Sequence, residues 1–389
     1  MMTHGSCSVR QRRESPLNIE LTVQSAAEYD RLSSGQMTPA MAAEYLREEQ
    51  IILRGFPEVL RELYPLPDLQ LRLQDAFLSD CPELNQESTA RKIRNWVSGQ
   101  NTPASREDLF HIAFALGLSE AEASTLLGLC ADYGIHYRDG REVVYAWFLR
   151  NGYSYAQARS FFASLPPVPR PESIPENLST HVTQELRADF LRAQSLEDLR
   201  ACYLANLDQL GALHVRAFKY FQKYLDLLIR PAPAWSGAAE PDYSIDAVME
   251  QYLSLHMPSG RNRRGYSVVQ KLVKHNWPNA TALKNIRLRK EDVPRKLLLL
   301  LYVITENGLD DSYSETDEDY VTPQDRLEDH WWSLNAILSD CGMPLLDPRN
   351  ATDWLILYAV TAVDEPMSER MEQVIELMFA DVKQKDPAP

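Results

Sequence analysis

Apolar side chains along this chain recur at three- and four-residue intervals and almost nowhere alternate, and that pattern restricts it to helices. In residues 107–118, Leu109, Ile112, Ala113 and Leu116 form an i, i+3, i+4, i+7 stripe with polar or small residues between them. Phe190, Leu196, Leu199, Tyr203, Leu207 and Leu210 repeat the spacing, as do Val215, Phe218, Phe221, Tyr224, Leu225 and Leu228. These two stretches read as an antiparallel pair joined near Gly211. Strand-like runs of valine, isoleucine and threonine bounded by Asn-Gly or Asp-Gly are missing; the one Asp-Gly, Asp139-Gly140, lies between helical patterns. The expected class is all-α.

Prolines divide the helical pattern, because each removes a backbone donor and biases its predecessor away from helix. The clearest clusters are LPPVPRPESIP (165–175) and RPAPAWSGAAEPDYS (230–244), and the acidic ENGLDDSYSETDEDYVTPQ (306–324) makes a third break. The resulting division is a basic disordered tail at 1–16, an N-terminal helical domain at 17–165 and a proline-rich linker at 166–176. A helical hairpin follows at 177–230, a linker at 231–243 and a basic helical domain at 244–309. An acidic loop at 310–325 and a C-terminal helical block at 326–389 complete it.

Several function classes are disfavoured. The five cysteines are far apart and form no CxxC pair, so neither a disulfide framework nor a zinc site is expected, and a reducing cytoplasm fits best. The longest apolar run, residues 297–304, is about half of a membrane span. No phosphate loop, GxSxG elbow, HExxH or GxGxxG occurs, and none of the eight histidines pairs with another at i+3 or i+4. The expectation is a non-enzymatic protein with no cofactor and no metal. A net charge of −15 also argues against coating nucleic acid non-specifically. Charge is unevenly placed, however: residues 261–296 carry a local balance of +9 and residues 306–347 one of −11.

The segment STARKIRNWVSGQNTPASREDLFHIAFALGLSEAEASTLL (88–127) has a short helix ending in Trp96, a glycine three residues on, then Pro103 and a helix ending in Ala-Leu-Gly. In this pattern Trp96 plugs a core, Gly99 takes a left-handed conformation that stops the helix, and Ser105 or Thr102 caps the next one. Leu109, Ile112 and Leu116 face that core and Gly117 ends the helix. The segment resembles the second half of a Cro/C1-type helix-turn-helix domain. In that family the exposed face of the helix before the tryptophan enters the major groove, so the resemblance implies Ser88, Thr89, Arg91, Lys92, Arg94 and Asn95 as DNA contacts. Arginine and asparagine suit two-point contacts to guanine and adenine edges. The helix that ordinarily precedes this one is not evident in LRLQDAFLSDCPELNQ (71–86), where Pro82 occupies the approach. Residues 86–109 balance at only +1, so a unit adapted to protein contacts is the alternative.

A second, degenerate copy is suggested by NATALKNIRLRKEDVPRKLLLLLYVITENGL (279–309), which shares a Thr-Ala start, a short basic helix, a proline and a leucine-rich helix ending in Gly-Leu. Here Lys284, Arg287, Arg289 and Lys290 line the expected exposed helix, residues 297–304 lie in a core, and Arg261, Arg263 and Arg264 precede it as an arm for phosphates or a minor groove. The plainer alternative makes 297–304 a central buried helix whose neighbouring cations pair with the acidic stretch, which would then mimic phosphate.

The aromatics of 128–158, including Tyr133, Tyr145, Trp147 and Tyr155, are expected in a core, and His111 as a partly exposed structural residue. Met371, Val374, Ile375 and Met378 form one face of an amphipathic C-terminal helix. The chain as a whole resembles a class of uncharacterised bacterial helix-turn-helix proteins with a WP pair, a VPRK-like stretch and an LDPRN turn. That resemblance implies an architecture and almost no function; the function expected from the helix-turn-helix units is a cytoplasmic, sequence-specific regulator of transcription or of a mobile element that binds duplex DNA, with a protein partner or a homodimer also compatible. The rival is a helical adaptor in a defence or conjugation complex.

Overall fold

The computed structural model describes residues 19, 21–103, 105–130, 133–168, 182–211, 213–229, 244–258, 265–305 and 322–383. Every regular element among them is helical, as the apolar spacing requires. The tail at 1–16, residues 169–176 of the proline-rich linker, residues 230–243, the arm with Arg261, Arg263 and Arg264, and most of the acidic loop lie outside the described residues.

The helices build two cores, and the chain visits one of them twice. Helices α1 (Val23–Ser33) and α2 (Pro39–Arg47) come first. Thr22 and Thr38 cap them by accepting the Ser25 and Met41 backbone N–H groups. The chain then leaves for helices α3 (Phe56–Leu63), α4 (Leu69–Asp80), α5 (Gln86–Val97), α6 (Arg106–Leu116), α7 (Glu120–Cys130), α8 (Gly140–Arg150), α9 (Tyr155–Ala163), α10 (Val182–Arg192) and α11 (Leu196–Ala205). These share one core, built on Trp96, Phe110, Trp147, Phe148 and Tyr203.

The remaining helices form the second lobe. They are α12 (Val215–Ile229), α13 (Ile245–Val248) with a π-helical turn at Met249–Leu253, α14 (Val268–Lys274), α15 (Ala280–Arg287), α16 (Arg295–Ile304), α17 (Pro323–Asp340), α18 (Ala351–Val360), α19 (Met367–Met378) and α20 (Ala380–Lys383). Helices α1 and α2 join this second core and not their sequence neighbours. Ala42 and Ala43 are small enough to bring α2 close to α19, and Leu46 fills the contact. Buried Glu28 on α1 accepts from Tyr45 Oη (2.7 Å) and Trp354 Nε1 (3.2 Å), a polar tie across 326 residues of sequence.

The expected hairpin of 177–230 divides instead between the lobes: α10 and α11 bury Phe190, Leu199 and Tyr203 in the first core, whereas α12 buries Phe221, Tyr224 and Leu225 in the second. Apolar faces specify that a helix is buried, not against which neighbour. Helix α16 lies at the centre of the second lobe with all of Leu297–Ile304 buried; its sequence offers no polar face after Lys296. Helix α19 buries Met371, Val374, Ile375 and Met378 against the body.

The LDPRN turn (346–350) joins the lobes. Asn350 caps α18, Asp347 Oδ1 accepts from Ser25 Oγ (2.9 Å) and the Arg349 backbone N–H (3.0 Å), and the Arg349 side chain, 2% exposed, crosses to Glu58 on α3.

Candidate functional site

Helix α5 is set by its own sequence. Asn85 accepts from the Ser88 N–H to cap it, and Thr89, Ile93 and Trp96, at spacings of four and three, face the core. Thr89 is therefore not a surface residue; it is 4% exposed and belongs to the buried stripe. Gly99 follows with φ +78° and Gly117 ends α6 with φ +66°, while Ser105 caps α6 through the Asp108 N–H (3.1 Å). Leu109, Ile112 and Leu116 are buried as their spacing requires.

A helix does precede α5: α4 buries Leu69, Leu73 and Phe77, and Pro82 lies just past its end, in the turn. Its glycine-free approach hid it from the sequence pattern. Helices α3 and α4 pack on α5, and α6 packs on α4, leaving Ser88, Arg91, Lys92 and Arg94 exposed and Asn95 half-buried. Lys92 is engaged by Asp108 (2.8 Å) and lies over the Trp96 ring. Arg91 and Arg94 have no ion-pair partner among the described residues.

His111, at 3% exposure, is buried and not partly exposed: its ring stacks between Phe77 (3.7 Å) and Tyr155 (3.9 Å), with Nε2 3.0 Å from Asp80. Tyr133, Tyr145, Trp147, Phe148 and Tyr155 are buried, so core packing absorbs most of the aromatic segment.

The second basic helix differs from the expectation. Asn279 caps α15, and Lys284 and Arg287 are exposed, but Lys284 is held by both carboxylate oxygens of Asp246 (2.9 and 2.8 Å). Arg289, with φ +56°, turns inward: it donates to the carbonyls of His214 (3.1 Å) and Leu213 (3.4 Å) and lies 4.2 Å over Phe218. Lys290 is exposed just beyond it. The four residues thus do not share one free face.

The same turn closes a cluster that no sequence pattern announced. His136, between α7 and α8, and His214, just before α12, meet Asp292 from the α15–α16 turn, with their ligand atoms within 4.8 Å of one another. The imidazoles stack at 3.9 Å, and Tyr133 stacks on His214 at 3.7 Å while donating to the Val293 carbonyl (2.7 Å). Asp292 Oδ1 accepts the His214 backbone N–H (2.7 Å), and its Oδ2 lies 3.2 Å from His214 Nδ1. Burial, then the neighbouring His214, pushes His136 down to about 3. Burial pulls the Asp292 carboxyl upward, but the contacts with His214 outweigh it and hold it below the usual carboxylate range. The histidines are 78 residues apart, so only the meeting of the lobes brings them together. A cleft of 1490 Å³ between the lobes reaches His214 and Arg138 and is also walled by Tyr137, Arg187, Cys130 and Pro344.

No family model, curated protein or solved structure matches the chain. No described helix is long and apolar enough to cross a membrane.

Proposed function

We propose that this protein is a sequence-specific DNA-binding regulator that presents α5 to the major groove, in the manner of the Cro/C1-type units its sequence resembles. The observation that carries the reading is the exposed pair Arg91 and Arg94, without ion-pair partners among the described residues, on a helix anchored from behind by Ile93 and Trp96. A reading helix must hold its backbone still while its side chains remain free to meet base edges. Ser88 and Asn95 flank the pair on the same helix, and Lys92, next to Asp108, supplies a weaker phosphate contact. The basic lobe contributes less, since Lys284 and Arg289 are engaged within the protein.

One observation favours the rival adaptor reading: Leu71 on α4, the helix packed on α5, and Leu84 in the α4–α5 turn are 59% and 39% exposed. The test is recovery of the intact protein from its native cell after nuclease treatment, with sequencing of protected DNA and identification of bound protein. Enrichment of one sequence, with binding weakened about 5- to 100-fold by Arg91→Ala or Arg94→Ala, supports the regulator. Stoichiometric protein without any enriched sequence, or variants that bind the duplex as the parent does, defeats it.

A further inference from the structure

Among the described residues, the interlobe cluster holds three buried side-chain nitrogens that lack a hydrogen-bond partner: Arg138 Nε, Arg138 Nη2 and His136 Nε2. His214 Nδ1, by contrast, faces Asp292 Oδ2 at 3.2 Å. Arg138 is 1% exposed, and a guanidinium cannot escape the cost of burial by losing its proton, so it calls for an acceptor.

Neighbouring groups do not supply one. Asp292 is turned to His214, and Glu142 receives Arg106 at both oxygens (2.5 and 2.7 Å). Arg289 is turned to backbone carbonyls. Pairing Arg106 with Glu142 and one of Arg138 and Arg289 with Asp292 leaves the cluster at +1 when both histidines are neutral.

We propose that this cluster is a binding site for a phosphate group carried by a small ligand that enters through the interlobe cleft. Arg138 offers the Nε and Nη2 edge, the two-point donor geometry that suits an oxyanion, and His136 Nε2 adds a third donor in its protonated tautomer. Three donors from two side chains suit the three free oxygens of a phosphate group better than the two of a carboxylate. His136 and Arg138 come from the first lobe, His214 from the segment between lobes and Asp292 from the second, so the ligand bridges the two.

A divalent cation fits the same residues less well. It would raise the local charge to +3 beside two arginines. The imidazoles also lie face to face at 26°, so their in-plane lone pairs run alongside each other and do not converge on one point.

The site is independent of the DNA reading and is tested without DNA. The full chain is titrated calorimetrically at fixed ionic strength with inorganic phosphate, and in separate arms with acetate and zinc chloride. Expected is saturable binding of one phosphate per chain, weakened about tenfold or more by Arg138→Lys and by His136→Gln and unchanged by Arg192→Gln at the exposed end of α10, away from the cleft lining. Circular dichroism checks each variant, and if Arg138→Lys does not fold, His136→Gln decides. The proposal is overturned by no saturation up to about 20 mM phosphate, by acetate binding as tightly, by both variants binding like the parent, or by zinc binding that His214→Ala abolishes while phosphate does not bind.

Discussion

Replacing Arg349 by methionine tests whether the two lobes are joined by a specific polar pin or only by surface contact. In the folded chain Arg349 donates to both oxygens of Glu58 (2.6 and 2.7 Å) and to the carbonyls of Ile52 (2.8 Å) and Leu53 (3.3 Å). Its side chain is 2% exposed, whereas that of Glu58 is 36% exposed. Methionine keeps the aliphatic stem and removes every donor. Breaking a buried ion pair costs about 3–5 kcal/mol, and the water available to Glu58 places this case at about 3. The Ile52 carbonyl, left without its partner, adds about 1 kcal/mol. The expected loss is therefore about 4 kcal/mol, of which Glu58→Gln alone removes roughly half, with a coupling of about 1.5–3 kcal/mol between the two changes. Urea unfolding followed by both tryptophan fluorescence and circular dichroism measures it. A loss under about 1 kcal/mol for Arg349→Met, or a coupling of zero, refutes the pin. The contact with Arg349 also holds the Glu58 carboxyl below its usual range. Its contribution is thus complete above the unfolded value of about 4.3 and disappears as pH falls through the lower folded one.

Two further outcomes follow from close contacts and buried charge. Gly128→Ala, which in an exposed helix would stabilise by about 1 kcal/mol, is expected to destabilise by about 1–3 kcal/mol, because its Cβ would lie 2.6 Å from Pro344 Cγ across the lobe boundary. Rescue by Pro344→Ala in thermal unfolding confirms the contact, and a stabilised single variant contradicts it. His330 is buried with Nδ1 2.7 Å from Tyr302 Oη, and burial, then Arg326, pushes it down to about 4. The unfolded chain therefore takes up a proton near pH 6.5 that the folded chain refuses until about pH 4, so up to about 3 kcal/mol of stability is lost on acidification through that window. His330→Gln should flatten this part of the urea-midpoint profile; an unchanged slope between pH 7 and 4.5 assigns the loss to other groups.

Local chemistry was legible in the sequence wherever a residue's role depends on its near neighbours. Trp96, Gly99, Ser105 and Gly117 act within a turn or two of their own positions, and the plug, the left-handed stop, the cap and the terminus all stand where their spacing placed them. Thr89 obeys the same local logic against the family pattern that implied it as a DNA contact: its spacing from Ile93 and Trp96 puts it in the buried stripe. Arg289 is different, because its positive φ and its contacts with Leu213 and His214 depend on a segment 75 residues away.

The amino-acid sequence by itself determined that the chain is helical, where most helices begin, and which of their faces are apolar, because propensity, capping and periodicity are local. Tertiary structure alone decided partnership. It sent α1 and α2 past nine helices to the second core, divided α11 from α12, and brought His136, His214 and Asp292 to one point. Burial of an apolar face is favourable against any complementary surface, so the choice among surfaces rests on shape and on polar ties such as Glu28 and Arg349, whose partners lie hundreds of residues away.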